Sequence, residues 1–277
     1  MLYLLLILVI VGSLWWFIFR GRPVTATEPL SPDYIQLLAD HVPYYASLPD
    51  NRKPAFADQV SLFLAQINIE GVETTVNDLD KVLVASSAVM PIFAFEGWQY
   101  PNLTTVLLYP TRFNEAYETE GDDRAILGQV GEGGALQSTM VLSKPALHAG
   151  FDDKNSKEST GIHEFVHLLD KVDGSIDGTP DYLLPRGHLQ PWVKLIHQHV
   201  AAIKTNQSDI NPYGITNEAE FFAVVSEYFF KRPDLLKTKH PELFATLETI
   251  FRQNPTTPKK VLDQDELPKL GEEEEPK

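Results

Sequence analysis

Hydrophobic positions follow two different patterns along the chain. Residues Met1 to Phe19 carry no charged side chain. A helix of that length rises about 28 Å, close to the thickness of a bilayer's hydrocarbon core. After residue 30 the apolar positions recur at helical or strand spacing, which is typical of a folded domain. The pattern predicts a transmembrane anchor at 1–19, a linker at 20–30, a folded domain at 31–260 and an acidic disordered tail at 261–277.

The flanks of the apolar segment favour an anchor over a cleaved signal peptide. A signal peptide needs a basic region before its apolar stretch and small residues at the cleavage site. Here Leu2 follows Met1 directly, and Arg20 stands where cleavage is expected. Arg20 and Arg22 both follow the span, so the positive-inside tendency places the domain in the cytoplasm. We therefore expect a single-pass protein of the cell inner membrane.

Within the domain, helical spacing precedes strand-like runs. The predicted helices start at Ser31 and stop before Pro43, start just after Asp50, and run from about Asn77 to Ala88. Apolar, partly β-branched runs predict strands at Ile92–Phe95, Thr104–Tyr109 and Leu136–Ser143. The resulting fold class is α+β, with a mixed sheet packed against several helices.

The composition provides for a core and excludes several kinds of site. Apolar residues make up 43% of the 277 residues, which is enough for a folded domain. The absence of cysteine excludes disulfides, thiolate ligands and a cysteine nucleophile. The net charge of −15 argues against a nucleic-acid partner, because phosphate binding needs clustered lysine and arginine.

The candidate chemistry centres on the pattern His-Glu-x-x-His at residues 163–167. On a helix His163 and His167 lie one turn apart on the same face, so two imidazoles can bind one metal ion. Glu164 is rotated by about 100° and can hold a metal-activated water without being a ligand. Apolar residues surround the pattern, which indicates a buried helix.

A catalytic zinc needs a third protein ligand. Glu220, on a mostly apolar downstream helix, is the candidate for this ligand; alternatively, it only stabilises the helix N-terminus. Glu227, two turns later, can orient a ligand. His188, His197 and His199 are rival ligands that lack metal-site spacing.

Two further features have alternative interpretations. Asp170 either accepts a hydrogen bond from a ligand imidazole or caps local backbone. The strand at Leu136–Ser143 either holds an extended peptide along a sheet edge or is an ordinary strand of the sheet.

The sequence resembles a known family. His-Glu-Phe-Val-His-Leu-Leu-Asp at 163–170, with Ala-Glu-Phe-Phe-Ala-Val at 219–224 and Ser-Glu-Tyr-Phe-Phe at 226–230, is similar to the Mlc titration factor A family of zinc peptidases. The resemblance covers about residues 31–255. It implies a gluzincin-like, zincin-type fold related to the anthrax lethal factor catalytic domain, and an aminopeptidase-like activity.

The resemblance also implies roles for individual residues. Zinc is expected on His163, His167 and Glu220, with Glu164 as general base. Tyr213 occupies the position of the family's tyrosine seven residues before the glutamate ligand, and is expected to donate to the developing oxyanion. The enterobacterial member binds the repressor Mlc, whereas a membrane span before the domain departs from that soluble member.

Three functions are compatible with these residues. The first is a membrane-anchored zinc peptidase acting on a peptide or protein substrate. The second is a non-catalytic binding protein that sequesters a cytoplasmic transcriptional regulator. The third is a zinc hydrolase acting on a non-peptide bond. Glu164 favours a hydrolase, because a structural zinc site needs no general base.

Overall fold

The computed structural model describes residues 28–119, 125–131, 138–180, 183–185 and 187–256. The predicted anchor at 1–19, most of the linker at 20–30 and the acidic tail at 261–277 lie outside the described residues. In the part of the chain that is described, no helix is long and apolar enough to cross a bilayer.

The described elements form an α+β fold, as predicted. The strands are β1 (Asn68–Gly71), β2 (Thr105–Tyr109), β3 (Gly128–Val130) and β4 (Thr139–Ser143). The helices are α1 (Pro32–His41), α2 (Pro43–Ser47), α3 (Lys53–Gln66), α4 (Asp78–Ile92), α5 (Lys144–Asp152), α6 (Thr160–Asp170), α7 (Leu189–Lys204), α8 (Glu218–Lys231), α9 (Pro233–Lys239) and α10 (Pro241–Phe251).

The four described strands make one mixed sheet in the order β1-β2-β4-β3. β1, β2 and β4 run parallel, and β3 runs antiparallel to β4. The strand predicted at Leu136–Ser143 is β4 over its described part, and it is internal. It is therefore not the edge strand, because β3 occupies the edge next to it.

Helix starts follow local chemistry that the sequence displays. Ser31 caps α1, with its side chain accepting a hydrogen bond from the Tyr34 N–H. Asn77 and Asp80 form a reciprocal capping box at the start of α4. These residues satisfy amide groups that the first helical turn leaves without partners.

The predicted strand at Ile92–Phe95 is wrong. α4 extends to Ile92, and residues 93–95 form the turn that follows it. This helix is buried on nearly all sides, so an unbroken apolar run cannot be distinguished from a buried strand by periodicity. The short strands β1 and β3 were not predicted, since neither has an apolar alternation long enough to detect.

Three helices form the part of the core that carries the site. α6 packs between α4 and α8. Gly161 of α6 lies so close to Ser87 of α4 that a Cβ there would come within 2.3 Å of the serine Oγ. A glycine is required at this crossing because any larger residue would push α4 and α6 apart.

Candidate metal centre

The helix α6 brings the two histidines to one point. It is apolar on its other faces, with Ile162, Phe165 and Val166 fully buried in the core. That burial fixes how the helix is rotated, so His163 and His167 share the face turned toward α8. Their Nε2 atoms lie 3.1 Å apart.

Glu220 completes a group of three ligand atoms. Its Oε2 lies 2.9 Å from His163 Nε2 and 3.6 Å from His167 Nε2. Among the described residues these three form the one group of His, Asp or Glu with metal-site spacing. The structure thus brings together the three residues that the sequence singled out as metal ligands.

The spacing fits a tetrahedral zinc ion. Ligands about 2.0–2.1 Å from a tetrahedral zinc are separated from one another by about 3.3 Å, and the three observed separations, 2.9, 3.1 and 3.6 Å, lie around that value. Two imidazoles and a carboxylate are also an ordinary donor set for this ion. The residues present therefore fit the metal.

Glu227 orients the first of the two histidines. Its Oε1 lies 2.7 Å from Nδ1 of His163, and its Oε2 accepts a hydrogen bond from the Ser159 main-chain N–H at the start of α6. A carboxylate on Nδ1 leaves the Nε2 lone pair free to face the ion.

The negative potential of the site suits a cation. Burial alone would lower the pKa of His163, but hydrogen bonds to Glu220 and Glu227 raise that pKa well above its ordinary value. Burial alone would raise the pKa of Glu220, but the hydrogen bonds and charges of the two histidines lower that pKa to about 2. Three carboxylates around two imidazoles leave a net negative charge that a divalent ion can neutralise.

Glu164 is buried beside the edge strand. Burial raises the pKa of its carboxyl group. A Cβ added to Gly128 of β3 would come within 2.7 Å of Glu164 Oε1, so the strand backbone lies directly against this carboxylate. Sequence reasoning missed Gly128, because its role depends on a contact between distant segments.

Tyr213 lies at the mouth of the site. It belongs to a 3₁₀ turn at Pro212–Ile215, which packs against α8. The side chain of Asn211 caps this turn by accepting a hydrogen bond from the Tyr213 N–H. The side chain of Tyr213 is 54% exposed, and its ring centre is 6.0 Å from that of His163. Burial, followed by the charges of Glu220 and Glu164, raises its pKa, so the hydroxyl keeps its proton at neutral pH.

Asp170 supports the backbone rather than a ligand. Its Oδ2 accepts a hydrogen bond of 2.7 Å from the Gly178 N–H. Nδ1 of His167 is buried and has no hydrogen-bond partner within the described ranges, so Asp170 does not orient this histidine. The backbone alternative is the one observed.

The other histidines lie outside the site. His197 is exposed, His199 packs near His240, and His188 contacts the Pro185 carbonyl. His148 contacts the buried carboxylate of Asp80. None of them belongs to the group that can hold a metal ion.

The α+β fold and the His₂Glu site define the class of a metallopeptidase-type domain, with a buried glutamate beside the ligands. The chain belongs to the M90 metallopeptidase family: the family model, described as glucose-regulated metallo-peptidase M90, matches residues 16–252. The resemblance to the Mlc titration factor A family is thereby confirmed.

Similar proteins extend over most of the chain. An uncharacterized protein of Synechocystis sp. is 28% identical over 269 residues, which cover 91% of this chain and 96% of that protein. Mlc titration factor A of Pectobacterium atrosepticum is 26% identical over 77% of this chain and 84% of its own. The protein of the same name from Edwardsiella ictaluri is 28% identical over 77% and 85%.

Proposed function

We propose that this protein is a zinc-dependent peptidase with aminopeptidase-like activity, anchored in the inner membrane by residues 1–19 with its domain in the cytoplasm. One observation carries the proposal: the ligand atoms of His163, His167 and Glu220 lie within 4.8 Å of one another, with the separations expected around zinc. Glu164 is buried and near enough to His163 and His167 for their charges to act on its carboxyl group, which supports a role as the general base.

Each residue has a distinct part in peptide hydrolysis. His163, His167 and Glu220 would hold zinc, which supplies a Lewis acid and lowers the pKa of a coordinated water. Glu164 accepts the proton of the attacking water and returns it to the leaving amine. The Tyr213 hydroxyl donates a hydrogen bond to the oxygen on which negative charge develops.

Among the described residues no strand pairs with the outer side of β3, although Ile126 just before it forms an antiparallel bridge with Phe113, and this outer side offers a place for the substrate backbone. In the sheet order β3 is terminal, so its outer main-chain groups face away from β4. An extended peptide can pair with such an edge as an additional strand. Because Gly128 lies against Glu164, a peptide on this edge passes next to the general base.

A second candidate function comes from the relatives named Mlc titration factor A. That name suggests that these relatives bind a transcriptional regulator. With the same role, this chain would sequester a regulator at the membrane. Such a protein needs no proton transfer by Glu164. The two functions therefore differ in how they respond to a change of this residue.

The test uses the full chain in detergent and measures bound metal, then cleavage of a peptide library with and without a chelator. Glu164→Gln is expected to keep zinc and lose about 10³-fold or more in turnover. Glu220→Ala is expected to lose zinc as well. Glu218→Gln, exposed on the same helix, is the control and is expected to behave as the wild type.

The outcomes separate the candidates. Cleavage at the wild-type rate by Glu164→Gln would contradict the peptidase assignment. A regulator captured equally well by wild type and Glu164→Gln, with no peptide cleaved by either, would favour the sequestering function.

A further inference from the structure

A cavity of about 460 Å³ lies at the N-terminal end of the helix that carries His163 and His167. It is bounded by the start of α6, by α5, and by the ends of β3 and β4. Its lining includes Arg112, Leu127, Ser143, Asp153, Ser159 and Thr160. No part of the proposed catalytic mechanism uses this cavity.

Ser159 and Thr160 bring the N-terminal end of α6 to the wall of the cavity. Thr160 precedes His163 by three residues and Glu164 by four, so it is a neighbour of each of them on the helix surface. On the sheet side, Leu127 lines the cavity and directly precedes Gly128, which lies against Glu164. A substrate that passes Glu164 along β3 therefore also passes the cavity.

Two buried serines present hydroxyl groups to the cavity. Ser143 is 1% exposed and Ser159 is 2% exposed, and both line its wall. Neither hydroxyl makes a hydrogen bond to another residue in the described part of the chain, although buried polar groups normally have a partner. Two buried groups that can donate are thus directed at the space that a ligand would occupy.

A cation stands at the mouth of the same cavity. Arg112 is exposed there and takes part in no ion pair with the described residues. Two carboxylates also line the rim; neutral donors bind one oxygen of each without removing its charge, and the charge of Asp153 is offset by nearby Lys231. Asp153 accepts hydrogen bonds from the N–H groups of Asn155 and Ser156, and Glu158 accepts one from Asn211.

A second cation lies behind the wall. Nζ of Lys231 donates to the main-chain carbonyl oxygens of Gly150 and Asp153, and both of these residues line the cavity. The guanidinium group of Arg112 can only donate hydrogen bonds, and the hydroxyls of Ser143 and Ser159 are free to donate as well. A ligand group that accepts from all of them must carry several acceptor oxygens.

We propose that this cavity is a subsite for a carboxylate of the peptide substrate, either an acidic side chain or a terminal carboxylate, next to the bond that is cleaved. Arg112 would pair with the carboxylate, and the hydroxyls of Ser143 and Ser159 would bind its oxygens. The proposal rests on the proposed peptidase function and adds a preference for acidic substrates.

The test measures binding, so that it does not depend on turnover. Fluorescent peptides are compared in pairs that differ only by Glu against Gln at one position, or by a free against an amidated C-terminus. Each pair is titrated against the full-length Glu164→Gln chain by fluorescence anisotropy. We expect about tenfold tighter binding of the carboxylate member, the size of one charge-assisted hydrogen bond. Which type of pair shows the preference identifies the source of the carboxylate.

Variants assign the preference to the cavity. Arg112→Gln is expected to abolish it and Ser143→Ala to weaken it. Lys154→Gln removes the same charge from the exposed loop after α5, outside this cavity, and is expected to preserve it.

Equal binding of both members of every pair, or no binding of either at millimolar concentration, would overturn the proposal, as would equal losses in Arg112→Gln and Lys154→Gln. Failure of the peptidase function is seen separately, as absence of chelator-sensitive cleavage by the wild-type chain.

Discussion

Glu227 fixes the orientation of His163 from the side opposite to Nε2, the atom that would face a metal ion, with its Oε1 2.7 Å from Nδ1 of the imidazole. The other oxygen of the same carboxylate accepts the Ser159 N–H at the start of α6. One side chain of α8 thus sets both the rotation of a ligand ring and the position of the helix that carries it.

The first prediction concerns this contact. Glu227→Gln keeps the shape of the side chain but cannot accept on both oxygens, so we expect zinc affinity to fall by about 10- to 100-fold. Competition with a chromophoric chelator measures the change. Glu218→Gln on the same helix, exposed to solvent, is the matched control. Equal affinities in Glu227→Gln and wild type would show that the contact does not support the metal.

The second prediction concerns the strand beside the general base. In Gly128→Ala the new methyl group would meet Glu164 Cγ and Oε1 at 2.7 Å, so the carboxylate or β3 must move. A displacement of about 1 Å at a catalytic group can cost 10²-fold in turnover. We expect bound zinc to stay at the wild-type level while kcat falls by about that factor. Loss of zinc together with kcat would instead indicate a general disruption of the site.

The sequence was sufficient to single out the three residues whose ligand atoms the fold brings together, but not their surroundings. His163 and His167 follow from the helical period alone, because residues four apart share a face. Glu220 lies 53 residues after His167 in the sequence, so its position required an argument about a second helix, or the family resemblance. Glu227 was suggested as a supporting residue because it lies two turns along that helix from Glu220.

The contacts that the sequence did not predict are those between segments without a periodic signal. β3 has three residues, so no alternation could identify it or its edge position. Gly128 and the cavity at Ser143 and Ser159 depend on how β3, β4 and α6 meet. α4 was cut short in the prediction because its last residues are apolar on every side, which removes the helical stripe.

The third prediction concerns the segment that presents Tyr213. Asp209 accepts hydrogen bonds from Lys157, Tyr228 and the adjacent Lys239 and His240, which together lie on three segments of the chain. Burial would raise the pKa of Asp209, but these donors hold it well below its usual range. We expect Asp209→Asn to lower the free energy of unfolding by about 2–3 kcal/mol.

Urea unfolding at neutral pH measures this change. Asp50→Asn is the control, because Asp50 pairs with Lys53 on an open surface, where ion pairs add little. Equal unfolding midpoints for Asp209→Asn and Asp50→Asn would contradict the proposed contribution of the Asp209 cluster.

The last prediction concerns the pH dependence of stability. Burial, followed by the nearby charge of His240, lowers the pKa of His199 from 6.5 to about 4. The ring stacks on Phe221 and lies 5.2 Å from the ring of His240. The folded state therefore prefers neutral His199.

Because the unfolded chain binds this proton more readily, the contribution of His199 is fully present above pH 6.5 and is lost as the pH falls toward 4. His199→Gln is expected to flatten the stability profile in that window. His197→Gln, exposed on the same helix, should keep the wild-type slope. Unfolding of the three proteins at a series of pH values measures these slopes. If the slope for His199→Gln were as steep as that of wild type, the pH dependence of stability would come from other groups. Loss of stability from Asp209 falls in a separate window below about pH 4, because its pKa is depressed and the unfolded carboxyl titrates there.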